Sequence, residues 1–458
     1  MRKQEKYRGF IRFGFSLIIW GALTAIWAFV WINYYADDII LPFYRRGHWL
    51  MAGVYGFLLL FFNLFYGGYR IGYYKRGDVA YSGILALILC NVITYLQASL
   101  IAREIVSLKT ILLMTLIQGV ILVIWAMVAH AVYIKVFPPR KLLMVYGGGK
   151  LAASLLEKMH GYPEHYAVRE TIDAAQGIPA ILDKISGYDG VILFDMPPAS
   201  RNRVLKFCFE CGIRTYTTPK ISDILIRGAV DIKLFDTPLF LNRNAGLSLG
   251  QQAAKRTVDL GFSAIALVVT LPLIWMVALA VKLYDGGPVF YKQRRLTTHG
   301  RQFWLYKFRS MVVDAEGENG ARLSPVGDNR ITRVGRFIRV FRLDELPQLW
   351  NILKGDMSIV GPRPERPELA SQHIEDMPEF AYRLKVKAGL TGLAQIVGRY
   401  NTSAYDKLKL DLMYITNYSL FWDFKLMLMT VKVLFSLQST QGVKSAEAEP
   451  PKIDVRVK

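Results

Sequence analysis

Closely spaced arginines precede an adjacent pair of carboxylates between residues 330 and 364. Five arginines recur at every third position: Arg330, Arg333, Arg336, Arg339 and Arg342. Asp344 and Glu345 follow them, and the rigid turn GPRP at 361–364 then fixes the direction of Arg363. Guanidinium groups bind phosphate through a planar fork of donors, and a carboxylate can hold a divalent metal or attack phosphorus. These residue types therefore indicate phosphate chemistry.

The spacing of the arginines limits how many of them can reach one ligand. A step of three residues along an α-helix turns about 300°, so successive arginines drift by about 60° around the helix. Most of the arginines are therefore predicted to meet lipid headgroups from an interfacial helix. Arg339 and Arg342 lie nearest the carboxylates and are the better candidates for a site.

The acidic pair also fits a purely structural interpretation. Asp344 could cap a helix over 347–353, with Glu345 complementing the helix dipole. Adjacent helical residues point about 100° apart, so the two carboxylates would have different roles if they act chemically. One could be a nucleophile, while the other supports a metal or moves a proton. From the residues alone, both interpretations stay open.

A second basic pair follows the strand-like segment 303–306. Alternate residues of an extended segment share a face, so Lys307 and Arg309 are predicted to point the same way. Two cations on one face suit a diphosphate, although a solvated strand edge would show the same pattern. Both residues are therefore candidate phosphate ligands.

Composition places this chemistry at a membrane. The chain has 458 residues, of which 53% are hydrophobic, and a formal net charge of +21. This combination favours an anionic membrane surface and anionic substrates, and no nucleic-acid-binding motif is recognised. The lone C-x-x-C at 208–211 lacks the further ligands of a zinc site. Without a disulfide framework, the soluble parts are predicted to be cytoplasmic.

The first third of the chain is predicted to cross a membrane repeatedly. A helix needs about 20 apolar residues to span a bilayer. Four runs meet that length, at roughly 14–32, 50–67, 81–101 and 110–134. Lysine and arginine are concentrated before the first run, between the second and third, and after the fourth, which places the N-terminus inside. Residues 1–138 are therefore predicted to form four transmembrane helices.

Residues 139–245 alternate buried strands with helices, which predicts a Rossmann-like parallel sheet. The segment 147–152 fits G-x-G-x-x-A after a strand, a weak dinucleotide signal. Glu170 lies at the distance of a ribose-binding acid, but 166–168 before it reads as a short, poor strand. A structural turn or a regulatory module is favoured over cofactor binding.

A fifth apolar run, 260–281, is interrupted by Pro272 and has basic residues on both flanks. Basic residues on both sides favour keeping both ends inside, and an internal proline kinks a helix. We interpret about 256–283 as a re-entrant helix that enters the membrane and returns. An ordinary fifth span with a proline kink is the alternative. Residues 441–458 are predicted to be a disordered tail.

Six segments carry a resemblance to a known family. They are KRTVDLGFSAIALVVTLPLI, PVFYKQRR, YKFRSM, RVGRFIRVFRLDELPQLWNILKGDMSIVGPRP, VKAGLTGLAQIVGRYN and LDLMYITNYSLFWDFKLM. From about residue 255 to 438 the chain resembles the bacterial sugar transferases, the polyprenyl-phosphate hexose-1-phosphate transferases. It resembles their longer members, in which four membrane helices and a Rossmann-like domain precede the catalytic domain. Those members start exopolysaccharide, capsule or O-antigen synthesis on undecaprenyl phosphate.

The resemblance implies a reaction and a role for each acidic residue. Asp344 matches the nucleophile, which takes a hexose phosphate from a UDP-hexose and releases UMP through an aspartyl-phosphosugar intermediate. Glu345 matches the second member of the catalytic pair, and Mg²⁺ is expected to bridge Asp344 and the diphosphate. The acceptor is undecaprenyl phosphate, and glucose and galactose are both compatible with the sequence, with a lean to glucose.

The resemblance also assigns basic and structural positions. Lys307, Arg339 and Arg363 fall on the family's phosphate-binding positions, and Arg399 lies in a segment near the nucleotide. Pro272 falls where the family breaks its re-entrant helix. Two positions depart from the family pattern. Thr297 replaces a usual glycine, and Ala388 replaces the usual proline before Gly-x-Thr-Gly.

The sequence thus predicts a membrane protein of α plus α/β class with three domains and a tail. The transmembrane domain is 1–138, the Rossmann-like cytoplasmic domain 139–245, the mainly helical catalytic domain 246–440 and the tail 441–458. We expect a bacterial inner-membrane enzyme with its catalytic domain on the cytoplasmic face. Its expected partners are membrane lipid and a second copy in a homo-oligomeric dimer, without nucleic acid.

Two functions from other classes remain as alternatives. An NAD-dependent nucleotide-sugar enzyme would be centred on 147–152. A non-catalytic membrane sensor or scaffold would use the acidic pair only as a helix cap.

Overall fold

Long apolar helices form the start of the chain. The computed structural model describes residues 6–36, 45–234, 236–242, 246–313, 328–398 and 402–434. The first helices are α1 (Arg8–Val30, continued by a π-helical turn Trp31–Tyr35), α2 (Arg45–Tyr66), α3 (Arg76–Ala102) and α4 (Leu108–Val136). All four are long and apolar enough to cross a membrane, as is a fifth helix later in the chain. The protein is therefore a membrane protein, as predicted.

A polar network links the first four helices through one residue from each. Tyr55 Oη donates a hydrogen bond to Asn91 Oδ1 at 2.9 Å, and Asn91 Nδ2 donates to Gln118 Oε1 at 3.0 Å. Gln118 Nε2 donates in turn to the carbonyl of Leu23 at 2.9 Å. Apolar surfaces gain little by associating in lipid, so interhelical hydrogen bonds of this kind help to hold helices together.

A parallel sheet follows the apolar helices. Its elements are β1 (Arg140–Tyr146), α5 (Gly149–His160), β2 (Tyr166–Asp173), α6 (Ile178–Ile185), β3 (Gly190–Phe194), α7 (Pro198–Glu210) and β4 (Arg214–Thr217). The strand order is β2-β1-β3-β4, and every pairing is parallel. Leu143, Val145 and Val191 are fully buried in its core. The predicted α/β class is confirmed here.

Strand β2 differs from its prediction. It runs through Asp173, whereas the sequence indicated only a short, poor strand at 166–168. Glu170 therefore lies inside the strand opposite Leu143, rather than at its end. Tyr188 Oη donates to Glu170 Oε2 at 2.6 Å. A ribose-binding acid is expected at the end of the second strand, so Glu170 does not occupy that position.

The remaining elements belong to a second compact unit, which begins at Pro219, after the first ends at Thr218. They are α8 (Ile221–Arg227), β5 (Val230–Ile232), β6 (Leu239–Leu241), α9 (Leu249–Asp285), β7 (Phe290–Leu296), β8 (Gln302–Phe308), α10 (Arg333–Val340), α11 (Gln348–Lys354), β9 (Ser358–Val360), α12 (Pro367–Asp376), β10 (Gly389–Thr391), α13 (Leu393–Val397), α14 (Ala404–Thr416) and α15 (Leu420–Leu434). The division falls before the sequence-based boundary at 245, because α8 packs through Ile224 against Phe380 and Leu408.

Helix α9 is attached to this unit at both ends. Near its start, Lys255 Nζ lies 2.6 Å from Asp423 Oδ2, and Asp259 Oδ1 accepts a hydrogen bond from Ser358 Oγ at 3.0 Å. Near its end, Val277 and Val281 pack into the cluster that contains Phe308 and Ile338. Pro272 lies inside the helix, between the two attachments.

Candidate active site

Asp344 and Glu345 lie in a short 3-10 turn, Leu343–Glu345, between α10 and α11. The preceding Arg342 has φ +52°, a left-handed conformation that is uncommon for a side chain of this size and that ends α10 abruptly. Both carboxylates are largely enclosed, since Asp344 is 9% exposed and the Glu345 side chain 13%. The turn therefore presents two adjacent acids at the junction of two helices.

The helix-cap interpretation of Asp344 is wrong. Helix α11 begins at Gln348, its N-cap residue is Pro347, and no side chain caps it. Within the described residues, no hydrogen bond to the Asp344 carboxylate is found. A largely buried carboxylate without donors is unusual, because buried polar groups are ordinarily paired. Asp344 is thus available to a cation or to a substrate.

Two of the predicted cations lie on Glu345. Lys307 Nζ, at the end of β8, is 3.4 Å from Glu345 Oε1. Arg363 Nη2, in the turn after β9, donates to the same oxygen at 3.2 Å. The fold thus brings Lys307 and Arg363 to the acidic pair, and Glu345 is the member they contact directly.

Burial and neighbouring charges shift the pKa values of the two carboxylates in opposite directions. Burial alone would raise the pKa of Glu345, but the positive charges of Lys307, Arg363 and Arg342 lower it to about 2. Burial raises the pKa of Asp344, and the negative charge of Glu345 adds to this effect, while Lys307 opposes it. Glu345 is therefore the permanently ionised member. Two acids with pKa values pushed apart are suited to different roles.

The other predicted cations do not all lie at the acidic pair. Arg339 lies in the last turn of α10, and its charge lowers the pKa of Asp344. Arg309 follows the end of β8 and is buried, and its Nη1 donates to Asp285 Oδ2 at 2.8 Å. Its guanidinium is thus engaged at the end of α9 and does not join Lys307. Arg399 lies outside the described residues.

The arginine series is less regular than a single helix. Only Arg333, Arg336 and Arg339 lie on α10. Arg330 precedes the helix and forms an ion pair with Asp328, with Nη2 2.7 Å from Oδ2. The left-handed Arg342 ends the series and directs the chain into the acidic turn.

One contact of the site was not anticipated from the sequence. Gln395 Oε1, on α13, accepts a hydrogen bond from Arg363 Nη1 at 3.3 Å. The guanidinium of Arg363 is thus held between Gln395 and Glu345. The only sequence signal was that Gln395 lies in the segment VKAGLTGLAQIVGRYN, in which it had no assigned role.

The acidic pair fits a magnesium ion better than a metal held by the protein alone. Among the described residues, no group of three or more His, Cys, Asp or Glu side chains could hold a metal. Mg²⁺ is ordinarily bound through one or two carboxylates together with substrate phosphates. The Asp344 carboxylate, which has no hydrogen-bond partner among the described residues, suits that role, while Glu345 is already engaged by two cations.

The second compact unit matches a known family. Residues 250–437 match the family described as bacterial sugar transferase. An uncharacterized sugar transferase of Bacillus subtilis, EpsL, is 40% identical over 195 residues, which cover 94% of that relative and 43% of this chain. The chain belongs to the bacterial sugar transferase family. The resemblance predicted over about 255–438 is confirmed.

The chain is also similar to proteins longer than EpsL. A UDP-N-acetylgalactosamine-undecaprenyl-phosphate N-acetylgalactosaminephosphotransferase of Aeromonas hydrophila is 40% identical over 185 residues, which are 40% of this chain and 44% of that relative. An undecaprenyl-phosphate glucose phosphotransferase of Komagataeibacter xylinus is 42% identical over 195 residues, which are 41% of this chain and 36% of that relative. The chain thus matches less than half the length of these two relatives.

The two positions that depart from the pattern implied by the resemblance, Thr297 and Ala388, contact each other. Thr297 is 1% exposed, and its Oγ1 donates to the carbonyl of Asp356 at 2.9 Å. The same oxygen accepts a hydrogen bond from the backbone N–H of Ala388 at 3.3 Å. The usual proline at 388 has no N–H, and the usual glycine at 297 has no hydroxyl. One hydrogen bond therefore joins the two departures.

This pairing predicts a stability effect. Thr297→Val leaves the Asp356 carbonyl and the Ala388 N–H without their buried partner, which should cost about 1–3 kcal/mol of unfolding free energy. The melting temperature of the purified protein, followed by intrinsic fluorescence, should fall. In an Ala388→Pro background the N–H is absent, so the same change should cost less.

Thr298→Val provides the matched control. Within the described residues, the buried Thr298 Oγ1 has no hydrogen-bond partner, so its loss should leave the melting temperature almost unchanged. Equal shifts from the Thr297 and Thr298 variants would contradict a role for the Thr297 bridge.

Proposed function

We propose that the protein transfers a hexose 1-phosphate from a UDP-hexose to undecaprenyl phosphate and releases UMP. The observation that carries this proposal is the enclosed carboxylate of Asp344, to which no described residue donates a hydrogen bond, beside a Glu345 that Lys307 and Arg363 hold ionised. The proposal is supported by two relatives, both named as phosphotransferases that act on undecaprenyl phosphate.

Asp344 acts as the nucleophile in a two-step transfer. One of its carboxylate oxygens forms a bond to the phosphorus that bears the sugar, and the bond from that phosphorus to UMP breaks. An oxygen of the lipid phosphate then attacks the same phosphorus. The bond to Asp344 breaks, and the free carboxylate and a lipid diphosphate sugar result. The raised pKa of Asp344 makes its ionised form the more basic, and hence the more reactive, carboxylate of the pair.

The cations around the pair bind and orient the diphosphate. Lys307 and Arg363 contact the same oxygen of Glu345, and the charge of Arg339 acts on Asp344. Donors fixed before the reaction stabilise charge that develops on the transferred group. When bound, Mg²⁺ held by Asp344 would neutralise part of the diphosphate charge.

The proposed topology keeps this site at the cytoplasmic headgroup level of the inner membrane. Helices α1–α4 cross the membrane, the N-terminus lies in the cytoplasm, and α9 is re-entrant. The re-entrant path is supported by the attachment of both ends of α9 to one compact unit, through Asp259 at one end and Val281 at the other. A helix that crossed would place those attachments on opposite sides of the bilayer.

Cysteine labelling tests the path of α9. In a background without the native cysteines, Leu249→Cys and Leu283→Cys place exposed thiols at its two flanks. We expect a membrane-impermeant maleimide to label both only after right-side-out vesicles are permeabilised. Ile105→Cys, between α3 and α4, should be labelled in intact vesicles and serves as the outside control. Labelling of the Leu283 variant alone in intact vesicles would establish an ordinary fifth span.

The reaction itself is tested by UMP release. Purified protein with magnesium and undecaprenyl phosphate is offered UDP-glucose, UDP-galactose and UDP-N-acetylgalactosamine separately. Lipid-dependent release with one donor is the expected result and identifies the hexose. Folded protein that releases no UMP from any donor would refute the proposed activity.

A further inference from the structure

A buried ion pair lies in the second unit, away from the acidic turn. Arg383, in the 3-10 segment Pro378–Lys385, has Nη2 2.8 Å from Oδ2 of Asp411 on α14. The two side chains are 4% and 2% exposed. Desolvation of two charges often cancels their attraction, so a buried ion pair is weak evidence for a stabilising role. A contribution to stability therefore does not explain why this ion pair is buried.

The energetic cost is visible at Asp411. Burial raises the pKa of its carboxyl to about 6, although the neighbouring charge of Arg383 opposes the rise. An apolar pair would avoid this cost. We therefore infer that the role of the Arg383 guanidinium lies in its contacts with residues other than Asp411.

Those contacts lie on the segment that carries Arg363. Arg383 Nη2 donates to the backbone carbonyl of Arg363 at 3.1 Å, and Nη1 donates to Glu365 Oε1 at 3.3 Å. The ring of Phe380 lies 4.7 Å from the guanidinium carbon and closes the other side. One buried, planar group thus joins α14 to the peptide unit that follows Arg363.

The neighbouring carbonyls of the segment are held as well. The N–H of Gly389 donates to the carbonyl of Pro362 at 2.8 Å. Arg295 Nη1 donates to the carbonyl of Pro364 at 3.2 Å, and the N–H of Leu296 donates to that of Glu365 at 3.0 Å. Arg383 supplies the donor for the carbonyl between these fixed points. The direction of the Arg363 side chain depends on that peptide unit.

We propose that Arg383, oriented by Asp411, is a positioning residue that aims the Arg363 guanidinium at the phosphates of the donor. The inference rests on the proposed function, in which Arg363 binds the diphosphate. The Arg363 side chain is 45% exposed, and an arginine loses considerable rotamer freedom when it is fixed. Holding its backbone in place therefore reduces the cost of donor binding.

A lysine at 383 would keep the charge but not this geometry. Its ammonium is a point charge, whereas the guanidinium fork reaches Asp411, Glu365 and the Arg363 carbonyl together. The Arg383→Lys variant therefore keeps the charge balance with Asp411 and loses the contacts that position Arg363.

A double-mutant cycle tests the inference. UMP release is measured for Arg383→Lys, Arg363→Lys and the double variant, with full-length protein in lipid nanodiscs. Since displacement of a binding group by about 1 Å can cost ~100-fold, we expect Arg383→Lys to lower kcat/KM by about 10- to 100-fold. Most of this loss should appear as a higher KM for the UDP-hexose. In the Arg363→Lys background, the same change should cost less than about threefold, because residues that act through one another are not additive.

Arg301→Lys is the matched control. Arg301 also pairs with an aspartate, with Nη2 3.7 Å from Asp356 Oδ1, but its side chain is 63% exposed. This variant should leave kcat/KM unchanged in both backgrounds. If Arg383→Lys does not fold, Asp411→Asn, which keeps the guanidinium, should show a smaller loss with the same non-additivity.

The outcomes separate this inference from the proposed function. Equal costs of Arg383→Lys in both backgrounds would show a general structural role and overturn the inference. An unchanged kcat/KM in Arg363→Lys would overturn it too, because Arg363 would then have no binding role. In both cases the wild-type protein still releases UMP, whereas absence of UMP release from the wild type refutes the proposed function itself.

Discussion

Asp344→Asn is expected to lower UMP release by at least about 10³-fold while the protein still folds. The amide has the same shape as the carboxylate but cannot attack phosphorus. The substitution also removes the negative charge that would bind a magnesium ion. Because no hydrogen bond to Asp344 is found among the described residues, no structural partner is lost. Steady-state UMP release and the melting temperature of the same preparation measure the two effects separately.

Asp406→Asn is the control for this variant. Asp406 is a half-exposed carboxylate on α14 that pairs with Lys409, at 3.1 Å from its Nζ. Its replacement should leave UMP release unchanged. Near-normal turnover of the Asp344 variant would refute the nucleophile assignment. The non-catalytic sensor or scaffold would then be the favoured function.

Lys307→Met is expected to lower kcat by about 10²- to 10³-fold, the usual cost of removing one fixed donor from developing charge. The change should also alter the pH profile. Lys307 lowers the pKa of Asp344, so its removal should raise that pKa further. Asp344 must be ionised to attack. Activity should therefore be lost, as the pH falls, at a higher pH in the variant than in the wild type. The profile of kcat/KM for the UDP-hexose, measured for both proteins at the same subsaturating magnesium concentration, reports this shift.

Lys292→Met is the matched control on the same hairpin. Lys292 lies on β7 opposite Tyr306, and its ammonium is 5.5 Å from the centre of that ring. Its loss should change neither kcat nor the acid limb of the profile. Equal effects of the two substitutions would indicate a general effect of charge on the hairpin rather than a contact at the acidic pair.

Much of the fold could be predicted, because the signals are local. Apolar runs identified helices α1–α4, and a short apolar run before the glycines at 147–149 identified β1. Strand β2 was underestimated, because the charged Arg169 and Glu170 interrupt its apolar pattern. Its length is fixed instead by pairing with β1 along the whole strand, which is a non-local interaction.

The sequence could indicate which residue types belong to the site, but not which of them contact each other. Lys307 and Arg363 were expected to bind phosphate, but the sequence could not show that both lie on Glu345. Lys307 was grouped with Arg309 by alternation, but the Arg309 side chain pairs with Asp285 at the end of α9, whereas Lys307 contacts Glu345.

The burial of charged side chains was the feature that the sequence predicted least well. Arg383 resembles an ordinary solvated residue in a polar segment, and its burial depends on how the segment from 378 to 385 packs against α14. The bridge between Thr297 and Ala388 joins residues far apart in the chain, so each appeared to be an isolated departure.

The most direct test of the covalent mechanism is to mix the protein with UDP-hexose and magnesium in the absence of the lipid acceptor. We expect a rapid release of UMP that stops when every Asp344 has reacted. The hexose phosphate should remain on the peptide that contains Asp344, as detected by mass spectrometry, and leave when undecaprenyl phosphate is added. UMP that forms only in the presence of the lipid, with no modified peptide, would contradict the covalent mechanism and favour direct transfer.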